Sequence, residues 1–200
     1  MTRPDFIFTI AALVLGLSAG TSLADAREDT IRMFGRDPGP GAAHACFVRH
    51  YSKSHLASHP DQNVTDMMVY VGKDEGEGSY FSINLQVNFR TLSQPFIVSG
   101  GCSLGKDGRK ALECGVECDG GSLSTRVKDE NAILISIPES VRLFDPATSD
   151  EEENSDLPRQ ARFGADDKLF RLDRARLRDC LPLIYDEDLR ARVAKGAVSD

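Results

Sequence analysis

All four histidines of the chain fall in one stretch, HACFVRHYSKSHLASHP (44–60), with Cys46 among them and Met67 and Met68 close behind. Imidazole and thiolate ligate zinc, and a thioether in the set favours copper. His55 and His59 stand four apart, the spacing that places two side chains on one helix face. His50 completes a three-ligand reading from a preceding strand. His44 is expected to point at water from a mobile segment, and Cys46 is read as a disulfide candidate. Three features weigh against a metal. Pro60 biases His59 out of helical geometry. No glutamate follows in the H-E-x-x-H pattern, so no general base is built in. Histidines are also ordinary capping and surface residues. Zinc or copper at His50, His55 and His59 is therefore the alternative reading, and no cofactor the preferred one.

Two further matches fail on context. GCSLG (101–105) has the form G-x-S-x-G with Ser103 as nucleophile, a motif that needs a sharp strand-to-helix turn. Here GKDG follows, which reads as a turn, and no histidine lies beyond His59 to serve as a later base. GGCSLGKD (100–107) approaches a phosphate-binding loop but ends in Asp107, where a hydroxyl should meet magnesium. A glycosidase carboxylate pair leaves no local signature, and a chain with no tryptophan and four tyrosines is poor in sugar platforms. A hydrolase of unrecognised type stays as a second alternative.

The five cysteines are Cys46, Cys102, Cys114, Cys118 and Cys180. Cys114 and Cys118 on one strand would sit about 13 Å apart, at ~3.3 Å per residue. A disulfide requires Cα atoms within about 7 Å. Both should therefore reach to other elements. The preferred pattern joins Cys102 to Cys114 or Cys118 and lets Cys180 pin a C-terminal helix to the sheet, with one cysteine left over.

The elements that must position these residues begin after a leader. FIFTIAALVLGLSAG is an apolar run that ends in small residues, and TSLADA supplies an A-x-A site at Ala24 and Ala26. That is the layout of a secretory signal peptide over 1–26. Export to an oxidising compartment, periplasmic or secreted, agrees with the disulfide reading. A net charge of −7 argues against sequence-independent nucleic-acid binding. No membrane span is expected once the leader is removed.

Residues 27–45, with DPGPG at their centre, read as a flexible lead-in. SKSHLASHPDQ is a short helical turn. From Val64 the apolar period becomes two. YFSINLQVNFR (80–90) alternates Phe81, Ile83, Leu85, Val87 and Phe89 with polar neighbours, the mark of a half-buried strand. PFIVSGGC, RKALECGVEC, SLSTRV, AILISI and KLFRL follow. Up to Ile137 no helix-length gap intervenes. These segments predict a mainly β fold, an antiparallel meander forming a sandwich or barrel. DRARLRDCL (173–181) reads as a C-terminal helix with Asp173 as N-cap. The domain spans 46–182, with an acidic loop at 146–167, and 183–200 form a tail that can be helical over DEDLRARVAKG.

HLASHPDQNVT and MVYV, followed by GGC, ECDGGSLSTRV and ILISIPES, resemble a loose group of small exported proteins of alphaproteobacteria. The resemblance implies export and no particular activity. The reading that follows is an exported, disulfide-stabilised, non-enzymatic binding or structural module, whose partner is an envelope protein or a small ligand.

Overall fold

The computed structural model describes residues 21–76, 80–106, 110–116, 119–148 and 157–198. Eight antiparallel strands follow one another: β1 (Ala43–His50), β2 (Val64–Lys73), β3 (Phe81–Phe89), β4 (Phe96–Leu104), β5 (Leu112–Val116), β6 (Ser122–Asp129), β7 (Ala132–Ser136) and β8 (Leu169–Ala175). Each pairs with its successor, and β8 returns to β1 through Cys46↔Ala175, Phe47↔Arg174 and Val48↔Asp173. The meander is therefore a closed barrel, which leaves no free sheet edge.

Period-two alternation decides what lies inside. In the β3–β4 register Phe81 faces Cys102, Leu85 faces Val98 and Val87 faces Phe96, and all six are buried. With Phe47, Val69, Leu112, Ile133, Ile135, Phe170 and Leu172 they form one continuous core. The barrel interior is packed with side chains.

Both ends are closed. At one end stands α1 (Thr21–Phe34), which buries Thr30, Met33 and Phe34 and stacks Phe34 on Phe81 at 6.1 Å. Arg174 caps this helix by donating to the carbonyls of Arg32 and Met33 while its guanidinium lies over the Phe47 ring. A cation there complements the helix C-terminus. At the other end Phe163 meets Phe89 and Phe170 edge-on, at 5.8 and 6.1 Å.

A second apolar layer covers the outer wall. A 3-10 helix (Leu177–Leu183) and α3 (Glu187–Ala194) bury Leu177, Leu183, Ile184, Leu189 and Val193 against Cys46, Tyr70 and Ile97. Asn84, on the polar side of β3, is buried there and donates to the Leu183 carbonyl. That side of β3 is thus not simply wet.

Three expectations need correction. Residues 27–45 are no flexible lead-in: α1 runs to Phe34, and β1 already begins at Ala43. The reason is tertiary, since two apolar residues ahead of the Pro/Gly cluster plug the barrel. The span 173–181 is not one helix capped by Asp173; β8 continues to Ala175 because pairing with β1 outweighs local helix preference, and the 3-10 helix starts at Leu177. His44 is not on a mobile segment but within β1. Residues 1–20 of the expected leader, and 149–156 of the acidic loop, lie outside the described residues.

Candidate functional site

The histidine stretch runs, at Pro60, into one wall of a cleft at the Phe163 end of the barrel, a wall continued by Asp61, Gln62 and Asn63. Its short helix α2 (Lys53–Ser58) starts at Ser52, whose hydroxyl accepts from the His55 amide. Its C-terminal carbonyls are held by Arg90, which follows β3. Arg90 Nη2 donates to Leu56 and His59 at 2.7 Å each, and Nε donates to Gln62 at 2.6 Å.

The imidazoles are committed locally. Gln62 Nε2 donates to the Val64 carbonyl, so its Oε1 faces His55 Nε2 at 2.9 Å as acceptor. His55 therefore carries its proton on Nε2. His59 Nδ1 donates to the His55 carbonyl at 2.9 Å. The two rings stack 4.1 Å apart and nearly parallel, with Tyr51 on the other face of His55. Parallel rings hold their lone pairs in separate planes, and a zinc ion needs both nitrogens within about 2.1 Å. His50 is exposed on β1 and pairs through Nδ1 with Asp66. The structure brings His55 and His59 together and leaves His50 apart. Among the described residues no three His, Cys, Asp or Glu side chains are grouped to hold a metal. Met67 lies in the barrel core, while Met68 packs on the outer cluster.

The opposite wall of the cleft is the segment that leads into β8. Asp167 is fully buried and accepts from the amides of Asn63 at 2.7 Å, Val64 at 3.1 Å and Gly164 at 2.7 Å. Asn63 Nδ2 donates to the carbonyls of Gln160 and Arg162. At Gly164 a Cβ would stand 1.9 Å from the Asp61 carbonyl, so only glycine allows the two segments to close. The cleft between them measures about 740 Å3 and is lined by Asp61, Asn63, Arg90, Arg159, Gln160 and Arg162 among others.

A smaller groove of about 370 Å3 lies beside α3, lined by His44, Tyr70, Asn84, Tyr185, Asp186 and Arg192 among others. His44 Nδ1 and the Tyr70 hydroxyl are 2.9 Å apart. Burial, with Asp74 and Asp186 adding to it, pushes the Tyr70 phenol well above its usual range, so it stays a donor. Burial, then Arg192 and Arg36, push the His44 imidazole down.

Ser103 sits within β4 opposite Glu113, at no strand-to-helix turn, so the nucleophile geometry is absent there. The same strand carries Gly100 to Leu104 of the apparent phosphate loop; Asp107 lies outside the described residues. Cys46 is bonded to Cys180, and Cys102 to Cys114, its direct cross-strand partner. Cys118 lies outside the described residues.

Sequence reasoning missed Arg90, Arg159 and Arg162. The available signal was the change from the acidic DEEENSD to PRQARFG within the segment read as an acidic loop. No family model, no curated protein and no solved structure matches the chain.

Proposed function

We propose that this is an exported, disulfide-braced barrel that works as a non-enzymatic binding module through its exterior. The observation that carries this reading is the filled interior. Small barrels that carry ligands inside keep that space open. Here Phe47, Ile83, Leu85, Phe96, Ile135 and Phe170 occupy it, with Phe34 and Phe163 at the two ends. What remains for recognition is the surface, where two polar clefts flank the pinned histidine turn and the C-terminal helix. Export is supported by the leader pattern in 1–26 and by two disulfides, which persist in oxidising compartments.

Two experiments test it. Residues 1–26 fused to a reporter that is active only outside the cytoplasm should give activity, and an inactive fusion would remove the export claim. A fatty acid titrated into the processed protein should leave the core methyl signals of Ile83, Ile133 and Ile135 unmoved. Saturable shifts of those methyls would overturn the exterior reading.

A further inference from the structure

We infer that the cleft at the Phe163 end binds a multiply charged oxyanion, a phosphate or a polycarboxylate, between the guanidinium groups of Arg159 and Arg162, with the open edge of Arg90 beside them. This rests on the exterior-binding reading and gives it a site and a ligand class.

Three cations share the cleft of a chain whose net charge is −7. Among the described lining residues Asp61 is the one carboxylate, so the lining is net positive. The Arg159 and Arg162 side chains are exposed and make no hydrogen bond or ion pair with a described residue. Arg171 and Arg176, by contrast, are already paired, with Asp173 and Asp179. Arg90 is fixed in its plane by three carbonyls on Nε and Nη2, none of which cancels its charge. Its Nη1 donates to no described residue. Guanidinium groups grip oxyanions through paired N–H donors, where an ammonium offers only a point charge.

The backbone that carries these groups is set in advance. Asn63 ties the carbonyls of Gln160 and Arg162, and Asp167 ties the amides of Asn63, Val64 and Gly164. Gln160, Asn63 and Thr91 add uncharged polar groups to the lining. A cleft that does not have to order its backbone on binding loses less affinity to entropy. Its volume is within the range of small-molecule sites, roughly 300–1,000 Å3.

The probes are inorganic phosphate and citrate, titrated calorimetrically into the processed full-length protein at constant ionic strength held with chloride. The expected result is saturable binding of at least one probe. Arg159→Ala with Arg162→Ala should weaken it tenfold or more, and Arg159→Lys with Arg162→Lys should fall in between, because charge is kept and the fork is lost. Arg126→Ala, on the β6 wall away from the cleft, should bind as wild type. Both arginines are exposed, so unchanged circular dichroism and melting without ligand will show that the variants fold. No saturable binding of either anion would overturn the site, as would equal affinity in the double alanine variant. Neither result touches the reporter or fatty-acid experiments, so failure of this site and failure of the exterior reading remain distinguishable.

Discussion

Cys46 on β1 is bonded to Cys180 in the 3-10 helix, with their Cα atoms 5.8 Å apart and a sequence separation of 134. This bond clamps the C-terminal segment to the outer wall, next to Tyr70 and Leu183. The second bridge, Cys102–Cys114, closes a separation of 12 between strands that are already paired. Loop-closure entropy favours the longer loop by about 2 kcal/mol. Cys46→Ala with Cys180→Ala should therefore lower the unfolding free energy by about 5 kcal/mol, against about 3 kcal/mol for Cys102→Ala with Cys114→Ala. Urea denaturation of the two double variants makes the comparison. Limited proteolysis should release the segment after Ala175 in the first variant only.

Asp167 should behave as a keystone. It is 0 % exposed and satisfies three backbone amides that join the start of β2 to the wall of the cleft. Asp167→Ala leaves those donors without their acceptor, which should cost about 3–5 kcal/mol. Hydrogen exchange should rise at Asn63, Val64 and Gly164 well before it rises in β3.

The His44–Tyr70 contact predicts a dependence on pH. Burial pushes His44 below its ordinary value of 6.5, with Arg192 and Arg36 acting in the same direction and Asp74 and Asp186 opposing them. Because the folded value is the lower one, the unfolded chain takes up the proton first as pH falls. The stability linked to His44 is complete above pH 6.5 and is lost as pH drops from there through the lowered folded value. His44→Gln should flatten the fall in urea midpoint between pH 7 and pH 5 relative to wild type. An equal fall in both proteins would assign the dependence to other groups.

Phe34 is predicted to matter although it stands ahead of the barrel in sequence. Its side chain is buried at the barrel end against Phe81. Phe34→Ala should cost about 3–4 kcal/mol. A chain starting at Arg27, where the leader pattern ends, keeps Thr30, Met33 and Phe34. It should therefore melt well above one that starts at Gly35.

The strands were legible because burial on one face writes itself into period two. Phe81 to Phe89 is the clearest case, and the same logic placed Leu112, Cys114 and Val116 on one inward face. Barrel closure was not legible, since β1 and β8 are far apart in sequence and only three residues of each make the joint. Helix α1 was hidden because its role depends on a barrel end that no local pattern announces. The histidine stretch drew attention through rare residue types, yet its imidazoles are taken up by Tyr70, Asp66, Gln62 and the His55 carbonyl. The arginine cleft escaped notice because its lining comes from three separate segments, 60–63, 90–91 and 159–165. Only the fold gathers them.

The most direct measurement of the central claim is non-reducing peptide mapping, with N-terminal sequencing, of the chain recovered from the exported fraction of its cells. The account predicts an N-terminus at Arg27 and linked peptides carrying Cys46 with Cys180 and Cys102 with Cys114. Free thiols at these four positions, or a chain that keeps residues 1–26 and stays inside the cell, would contradict it.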